Sequence, residues 1–379
     1  MAVVRQSPNM SAIAAALGVS AATVSNALSG KGRVSPELAD KVRATAAALG
    51  YVPSLTARAL RTGRSGVLGL VLPDIGNPLF PQIAQAIENA AAAAGYGVLI
   101  ADSRGGIATQ TEAINRLIER GVDGMVVVPR HGTRIADIGC PVAVIDTPST
   151  PGNTVSADHW QGGEAIGRHL AQLGHRRVLL VGNYRSSNVQ NDRIGGLRAG
   201  LGPGVHCDTL WIETVEGAGG PGCPLGLADK ARDGFTGFAA VSDLSALRAL
   251  TELQRAGIGV PEMVSVTGFD DLIWSPVVTP ALTTVRMDLP TIADLAIGAL
   301  IRAIEPEAEG EATTTTTTTT RVSCLPDRVP MQLVVRQSSG PASVLSPDAA
   351  AGADPALPAL SQSWHAKHQT QPTAGEPKT

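Results

Sequence analysis

Several features that would place this chain among membrane, secreted or metal-binding proteins are missing from its sequence. No apolar run approaches the roughly 20 residues of a membrane-spanning helix, and the first ten residues, MAVVRQSPNM, lack the apolar stretch of a secretory signal. We therefore expect a cytoplasmic protein with no membrane partner. CxxC spacing is absent too, so neither a zinc site nor a disulfide framework is predicted from the four cysteines, Cys140, Cys207, Cys223 and Cys324.

Motifs of several enzyme classes are also absent. The sequence contains no GxxxxGK[ST] phosphate-binding loop, no HExxH zinc motif and no GxSxG nucleophile elbow. The stretch SGKGR at 29–33 is interpreted as a turn before a helix, not as a nucleotide-binding loop. His365 and His368 remain an alternative metal-binding pair, but we predict no metal, no cofactor and no enzymatic activity.

The charge of the chain is distributed unevenly. A length of 379 residues allows two or three domains with ordinary cores, and the formal net charge is −3. Residues 1–64 carry eight Lys and Arg against two Asp and Glu, a net +6, so the remainder must carry −9. A basic head on an acidic body indicates that the head binds a polyanion, and a merely solvated basic surface is the alternative.

The stretch MSAIAAALGVSAATVSNALSG (10–30) predicts two short helices separated by a tight turn. Gly18 is able to adopt the left-handed conformation that ends the first helix, and the Ser20 side chain is placed to cap the second. A third helix begins in the sequence SPEL, with Ser35 as its cap and a proline in the first turn. Three such helices predict a helix-turn-helix unit within 8–52, for which a plain helical hairpin is the alternative.

The second helix of this unit is predicted to present small side chains to the major groove of DNA. Such side chains suffice for recognition, because Ala22 suits a thymine methyl group and Asn26 suits a base edge or a phosphate. Hydroxyl groups on the same helix suit phosphate oxygens. The residues predicted to bind DNA from this helix are Ser20, Ala21, Ala22, Thr23, Ser25 and Asn26.

The segment GYVPSLTARALRTGRSG (50–66) predicts a short basic helix with too few apolar contacts to be stable alone. Together, GVSAATVSNAL, VSPELADKVRATAAALGYVPS and ARALRTG resemble the DNA-binding head and hinge of LacI/GalR-family transcriptional regulators. The resemblance implies that 53–64 form a hinge helix on operator DNA, with Leu60 inserted into the minor groove and Arg58 as a further DNA contact. Ordinary packing is the alternative for Leu60.

From Gly66 onward, short apolar runs alternate with helical patterns, as expected of buried parallel strands that helices connect. This predicts a small all-α head followed by a body of two doubly wound α/β lobes over 66–339, with a cleft between them. Motifs such as NPLF, LGHRRVLLVG, SVTGFDD and VTPALTTVR extend the family resemblance to about residue 340. It implies a fold similar to periplasmic sugar-binding proteins, with the chain crossing between lobes near Asp158, 282–285 and Arg321.

The resemblance also implies which side chains bind a small effector. Carboxylates and a planar guanidinium hold paired hydroxyl groups or the edge of a heterocycle by bidentate hydrogen bonds, and a sugar is the first expectation. Core packing is the alternative for Phe80. Capping of a strand end is the alternative for Asp146 and Asp243, and a structural role is the alternative for Arg193 and Asp270. The predicted effector-binding residues are Phe80, Asp146, Asp243, Arg193 and Asp270.

Three stretches carry little of the family pattern. Between Trp211 and Phe235 the many Gly and Pro residues predict a loop, with at most a short helix at LADKAR. Eight consecutive threonines at 313–320 predict an exposed insert. Residues 340–379 are rich in Pro, Ala and polar residues and predict a disordered tail without the leucine heptads of a tetramer.

These inferences combine into one functional hypothesis. We predict a homodimeric repressor that binds a pseudo-palindromic operator in double-stranded DNA, with an affinity that depends on a sugar in the cleft. A ligand-binding or transport receptor without a DNA role is the alternative, and the helix-turn-helix pattern argues against it.

Overall fold

A computed structural model of the chain describes residues 9–29, 34–51, 63–104, 106–130, 132–133, 135, 138–150, 152–305 and 327–343. Several predictions fall outside these residues. They are the DNA contacts Arg58 and Leu60, most of the predicted linker 53–64, the crossing at Arg321, the threonine run, and the part of the predicted tail from residue 344 onward.

The N-terminal unit consists of three short helices around a small core. These are α1 (Met10–Leu17), α2 (Ala21–Ser29) and α3 (Pro36–Ala48), and Ile13, Val24 and Val42, one from each helix, are fully buried. The predicted turn is confirmed, because Gly18 has a φ of 66° and the Thr23 amide donates to Ser20 Oγ at 3.1 Å. The predicted cap of the third helix is confirmed as well, with the Leu38 amide 3.3 Å from the Ser35 hydroxyl oxygen.

The first lobe of the body is built on a parallel sheet with the strand order β2-β1-β3-β4. Apolar residues fill its centre, where Leu68 and Leu70 are fully buried. Its strands and helices are β1 (Val67–Leu72), α4 (Leu79–Ala93), β2 (Gly97–Asp102), α5 (Ile107–Glu119), β3 (Gly124–Val127) and β4 (Val142–Val144), after which the chain leaves the lobe along β5 (Val155–Ala157).

The second lobe repeats this plan with a parallel sheet in the order β7-β6-β8-β9. Phe238 and Val266 are fully buried in this sheet. Its elements are α6 (His159–Gln172), β6 (Arg177–Gly182), α7 (Asn188–Leu201), β7 (His206–Trp211), α8 (Ile212–Gly219), α9 (Leu227–Arg232), β8 (Gly237–Ala240), α10 (Asp243–Arg255) and β9 (Ser265–Thr267).

Short two-stranded ladders mark the places where the chain passes between the lobes. β10 (Thr284–Arg286) returns the chain to the first lobe, where α11 (Leu289–Ile304) packs against α4. β11 (Asp327–Val329) pairs in parallel with β5, and β12 (Gln332–Val334) pairs antiparallel with β10. The predicted crossings near Asp158 and at 282–285 are therefore confirmed.

The glycine-rich part of the second lobe differs from the prediction. The short helix predicted at LADKAR is present as α9, but directly after β7 the chain also forms α8, where a loop was predicted. Tertiary bonds explain the extra helix, because Glu216 accepts from the Gly222 amide at 2.8 Å and from Arg248 Nη1 at 2.7 Å. Local propensity alone does not include such long-range partners.

Helices α6 and α7 pack with their backbones in direct contact. A Cβ atom added to Gly196 would lie 2.0 Å from the carbonyl oxygen of Trp160, and one added to Gly163 would lie 2.3 Å from that of Arg193. Only glycine fits at such contacts without moving backbone atoms. The close packing brings the start of α6 next to the middle of α7, where the second lobe faces the first.

We predict that Gly196→Ala lowers the free energy of unfolding by about 3 kcal/mol, because the added methyl group overlaps backbone that cannot move aside. The matched control is Gly217→Ala, at an exposed position of α8 where an added Cβ meets no atom within 4 Å. It should raise stability by about 0.5–1 kcal/mol, since alanine favours the helix. Urea unfolding measures both, and equal effects of the two substitutions would contradict the packing argument.

Candidate effector-binding cleft and DNA-binding helix

A cavity of about 690 Å³ lies between the two lobes. It is lined by side chains that follow the carboxyl ends of strands, such as Asp74, Arg130 and Asp146 in the first lobe and Tyr184 and Ser242 in the second. Its size lies within the roughly 300–1,000 Å³ of small-molecule sites. Parallel α/β sheets bind ligands at this edge, so the cavity is the candidate effector site.

Arg193 lies at the floor of this cleft with only 4% of its surface exposed. Its Nη1 donates to the carbonyl oxygen of Val241 at 2.7 Å and lies 2.9 Å from Asp270 Oδ1. Its guanidinium carbon stands 4.1 Å from the centre of the Phe269 ring, a cation–π distance. Its Nε donates to His159 Nδ1 at 3.4 Å. The guanidinium is thus fixed from several sides by protein groups before any ligand binds.

The Asp270 carboxyl group is buried beside this guanidinium. Burial raises the pKa of Asp270 to about 7, with the nearby Asp243 adding to the rise and Arg193 opposing it. Asp270 Oδ1 is buried and lies 2.9 Å from Arg193 Nη1, its ion-pair partner. The backbone φ of Asp270 is 109°, a left-handed value that is costly for a residue with a side chain. Both features are what a site poised for a ligand shows.

His159 was not among the predicted site residues, although it lines the cleft. It is the first residue of α6, next to the cap residue Asp158. Burial and the Arg193 cation hold the pKa of His159 well below its usual value, so the ring stays neutral and is able to accept at Nδ1. The sequence contains no clear signal for this role, because a lone histidine after a capping aspartate has no fixed partner along the chain.

Asp243 is placed differently from the other predicted effector residues. It is fully buried, does not line the cleft, and accepts from the Ser275 hydroxyl at 2.5 Å, the Thr284 hydroxyl at 2.6 Å and the Leu272 amide at 2.8 Å. Burial raises the pKa of Asp243 while these three donors oppose the rise. The placement favours a structural role behind the cleft wall, and a direct ligand contact stays an unsupported prediction.

Phe80 and Asp146 line the first-lobe side of the cleft. Phe80 is half-buried near the start of α4 and also packs against the core, so both of its predicted roles are compatible with its position. Asp146 follows β4 and accepts from the Thr150 hydroxyl at 2.5 Å. Together with Arg193 and Asp270, these two residues place four of the five predicted effector residues around one cavity.

Other polar residues of the cleft were missed by the sequence analysis. Tyr184 has 57% of its surface exposed just after β6, and the rule that ligands meet strand ends would have found it. Arg130 follows β3 in the same way, and its buried Nε has no hydrogen-bond partner. Glu213, Glu216 and Arg248 depend on the unpredicted helix α8 and its contact with α10, which no local pattern indicates.

The predicted recognition helix α2 exposes the face that the sequence analysis assigned to DNA. Ala21, Ala22 and Asn26 are exposed, whereas Val24 and Ala27 are buried in the core of the unit. The remaining predicted contacts are Ser20, Thr23 and Ser25, of which Thr23 and Ser25 are partly exposed and Ser20 is exposed at the cap. The spacing leaves one continuous surface of small side chains along α2.

Two further properties concern only the part of the chain that the structure describes. No single helix there is long and apolar enough to cross a membrane, although α1 and the first eight residues of α2 pass this test together as a pair bent by 106°. No group of three or more His, Cys, Asp or Glu side chains is arranged there as metal ligands.

Family models match successive parts of the chain. They are described as "Bacterial regulatory proteins, lacI family" over 9–54, "Periplasmic binding proteins and sugar binding domain of LacI family" over 65–215, and "Periplasmic binding protein-like domain" over 168–324. An uncharacterized HTH-type transcriptional regulator from the aml 5′ region of Streptomyces limosus is 33% identical over 314 residues, covering 78% of this chain and 88% of the relative. The chain belongs to the LacI family.

LacI-family proteins are DNA-binding transcriptional regulators and not enzymes, so the corresponding predictions are confirmed. The lac repressor dimer bound to operator and the anti-inducer ONPF has a TM-score of 0.68 at 22% identity, covering 88% of this chain and 100% of that one. A transcriptional regulator CelR–cellobiose complex has a TM-score of 0.59 at 25% identity, with the same coverage. These likenesses confirm the predicted fold class.

We predict that Asp270→Asn removes a pH dependence from the stability of this LacI-family protein. Native Asp270 keeps its proton up to about pH 7, whereas an unfolded aspartate releases it near pH 4. The native state therefore binds more protons in this window, and the contribution of Asp270 to stability falls as the pH rises, by about 1.4 kcal/mol per pH unit at the steepest.

Urea unfolding of both proteins between pH 4.5 and 8 checks this prediction. The stability of the wild type relative to Asp270→Asn should decline up to about pH 7 and then level off. Burial lowers the pKa of His169 and His175, which gives slopes of opposite sign that are common to both proteins and cancel in the comparison. A pH-independent difference would contradict the prediction.

Proposed function

We propose that two copies of this LacI-family protein repress transcription by binding a two-fold related operator, and that a sugar in the cleft changes the operator affinity. The observation that carries the proposal is the pairing of Arg193 and Asp270 at the floor of a polar cleft between two lobes, in a chain that starts with a capped helix-turn-helix. The proposed division is 8–52 for the DNA-binding unit, 53–64 for the linker and 66–339 for the effector-binding and dimerisation body, with 340–379 as a tail.

The proposed DNA interface is the exposed face of α2, with Ser20, Ala21, Ala22, Thr23, Ser25 and Asn26, and the linker residues Arg58 and Leu60. The geometry supports this interface, because the exposed face of α2 contains no residue of the apolar core and its side chains are small enough for the helix to enter the major groove. The chain is proposed to act in the cytoplasm, where the operator DNA of a bacterial regulator lies.

The proposed effector contacts are Phe80 and Asp146 from the first lobe and Arg193 and Asp270 from the second. A ligand that touches both walls favours the lobe arrangement in which both contacts are made, and it changes operator affinity only by its difference in affinity between two arrangements. A sugar is supported by the hydroxyl, amide and carboxylate groups of the cleft and by the cellobiose bound to the related regulator.

The proposed dimer surface is made of apolar side chains that the described chain leaves exposed. Leu99 and Ile100 point to opposite faces of the edge strand β2, yet both are exposed, at 38% and 49%. In the second lobe Ile273 and Val277 are about 70% exposed beside Trp274 at 42%. A bare apolar edge strand is a liability that a second copy would cover.

We predict that Ala22→Glu lowers operator affinity by about 100-fold or more, because the new carboxylate faces phosphates and base edges. Ala44→Glu is the matched control, since Ala44 is equally exposed but lies on α3. The operator is first selected from a pool of random duplexes with the wild-type protein, and gel shifts at fixed salt then compare the variants.

Arg193→Met should keep operator binding and lose the response to sugar. No sequence preference by the wild type would contradict the proposed function.

The dimer has its own test. Ile100→Lys and Val277→Lys should each shift the sedimentation of the full chain from dimer toward monomer, because a buried lysine without a partner is costly. Gln172→Lys adds the same charge at an exposed position of α6 and should leave the dimer intact. A dimer that is equally stable in all three variants would exclude the proposed surface.

A further inference from the structure

We propose that Glu216 and Arg248 form a second subsite in the cleft, which selects uncharged saccharides of two or more rings over single-ring and phosphorylated ones. This inference rests on the proposed sugar effector. It assigns a role to the glycine-rich segment that departs from the family pattern.

The position of Arg248 extends the polar floor of the cleft away from Arg193. Ser242, Ser245 and Arg248 all line the cleft at a spacing of three residues, with Ser242 as the N-cap of α10 and the other two on the helix. Arg193 is bonded to the carbonyl oxygen of Val241, directly before this row. Arg248 lies six positions after Ser242, a rise of about 9 Å along the helix. Polar groups therefore continue well beyond the place where Arg193 and Asp270 would hold a first ring.

The second subsite is held in place by the chain itself. Arg248 Nη1 donates to Glu216 Oε1 at 2.7 Å, and its Nη2 donates to the carbonyl oxygen of Cys223 at 2.6 Å. These bonds use two of the five N–H donors of a guanidinium, so donors remain for a ligand. The side chains of Arg248 and Glu216 are 27% and 31% exposed. A fixed guanidinium beside a carboxylate offers a donor and an acceptor together, which suits a pair of neighbouring hydroxyl groups.

Glu216 remains ionised within this pair. The amide of Gly222 and the Arg248 guanidinium hold the pKa of Glu216 below its usual value. The Gly222 amide donates to Glu216 Oε1, the same oxygen that accepts from Arg248. The glycine-rich turn after α8 thus orients the carboxylate.

The charges of the cleft disfavour an anionic ligand. Among the described lining residues, five carboxyl groups face three arginines. Arg248 is paired with Glu216, and above about pH 7, where Asp270 is ionised, Arg193 is paired with Asp270. A phosphorylated sugar would find few uncompensated cations and an excess of negative groups. An uncharged polyhydroxylated ligand meets no such penalty.

Arg248 also forms part of the wall between the cleft and a groove on the outside of the second lobe. The outer groove, of about 560 Å³, is lined by Gly222, Cys223 and Arg248 and by Arg255 of the same helix. Arg248 and its bonds to Glu216 and Cys223 therefore lie at the boundary between the cleft and this groove.

Calorimetric titration of the full chain with a panel of uncharged disaccharides, beginning with cellobiose, tests the proposal. The component monosaccharides and glucose 6-phosphate are titrated in parallel. We expect the tightest disaccharide to bind about tenfold or more tightly than its component rings, with glucose 6-phosphate weaker than glucose. Arg248→Met should lower the affinity for the disaccharide by about tenfold, as expected for a lost charge-assisted hydrogen bond. The affinity for the monosaccharide should change by less than about twofold.

Arg255→Met is the matched control, because Arg255 lies on α10 but lines only the outer groove, and it should change neither affinity. Glu216→Gln keeps the size of the side chain and gives a second readout. Because it removes a negative charge from the cleft, it should reduce the difference in binding affinity between glucose and glucose 6-phosphate. The subsite is disproved if disaccharides bind no better than single rings, or if Arg248→Met weakens both equally. A wild-type protein that binds no sugar at all would overturn the proposed function itself, which is a distinguishable result.

Discussion

The placement of one buried cation, the Arg193 guanidinium, constrains the architecture around the cleft. A buried charge is tolerated only where partners compensate for its lost hydration, and the partners here come from three different parts of the fold. Val241 follows β8, Asp270 and Phe269 follow β9, and His159 begins α6. The glycine contacts between α6 and α7 are what bring His159 within reach, so close helix packing and site geometry depend on each other.

The same partners connect the cleft floor to the crossings between the lobes. His159 lies two residues after β5, which pairs with β11, and the Asp270 amide donates to the carbonyl oxygen of Val285 in β10 at 2.9 Å. A ligand that alters the contacts of Arg193 therefore acts on groups bonded directly to the connecting strands. The burial of the Asp270 carboxyl group and its left-handed backbone indicate that the floor is organised for a ligand.

Features governed by local chemistry were predictable from the sequence. Gly18, Ser20 and Ser35 end and cap helices through bonds to nearby residues, and the alternation of strands and helices predicted both sheets. The two confirmed crossings were implied by the family resemblance instead. The helix α8 was not predictable, because its glycine-rich end is held by Arg248, 32 residues away in sequence from Glu216. Asp243 is a residue for which the sequence suggests a ligand contact that the structure does not support. An aspartate after a buried strand suggests a ligand contact, yet three protein donors from distant segments already use its carboxylate.

The most direct test of the role of Arg193 is a double-mutant cycle on the free energy of unfolding. The cycle combines Arg193→Met with Asp270→Asn and is measured by urea unfolding at pH 8, where the Asp270 carboxyl group is ionised. If the two groups form the compensated buried pair described above, the coupling energy should be about 2 kcal/mol, and the double variant should be more stable than the sum of the two single effects predicts. Strictly additive effects would show that the guanidinium and the carboxylate do not depend on each other, and would contradict this account of the cleft floor.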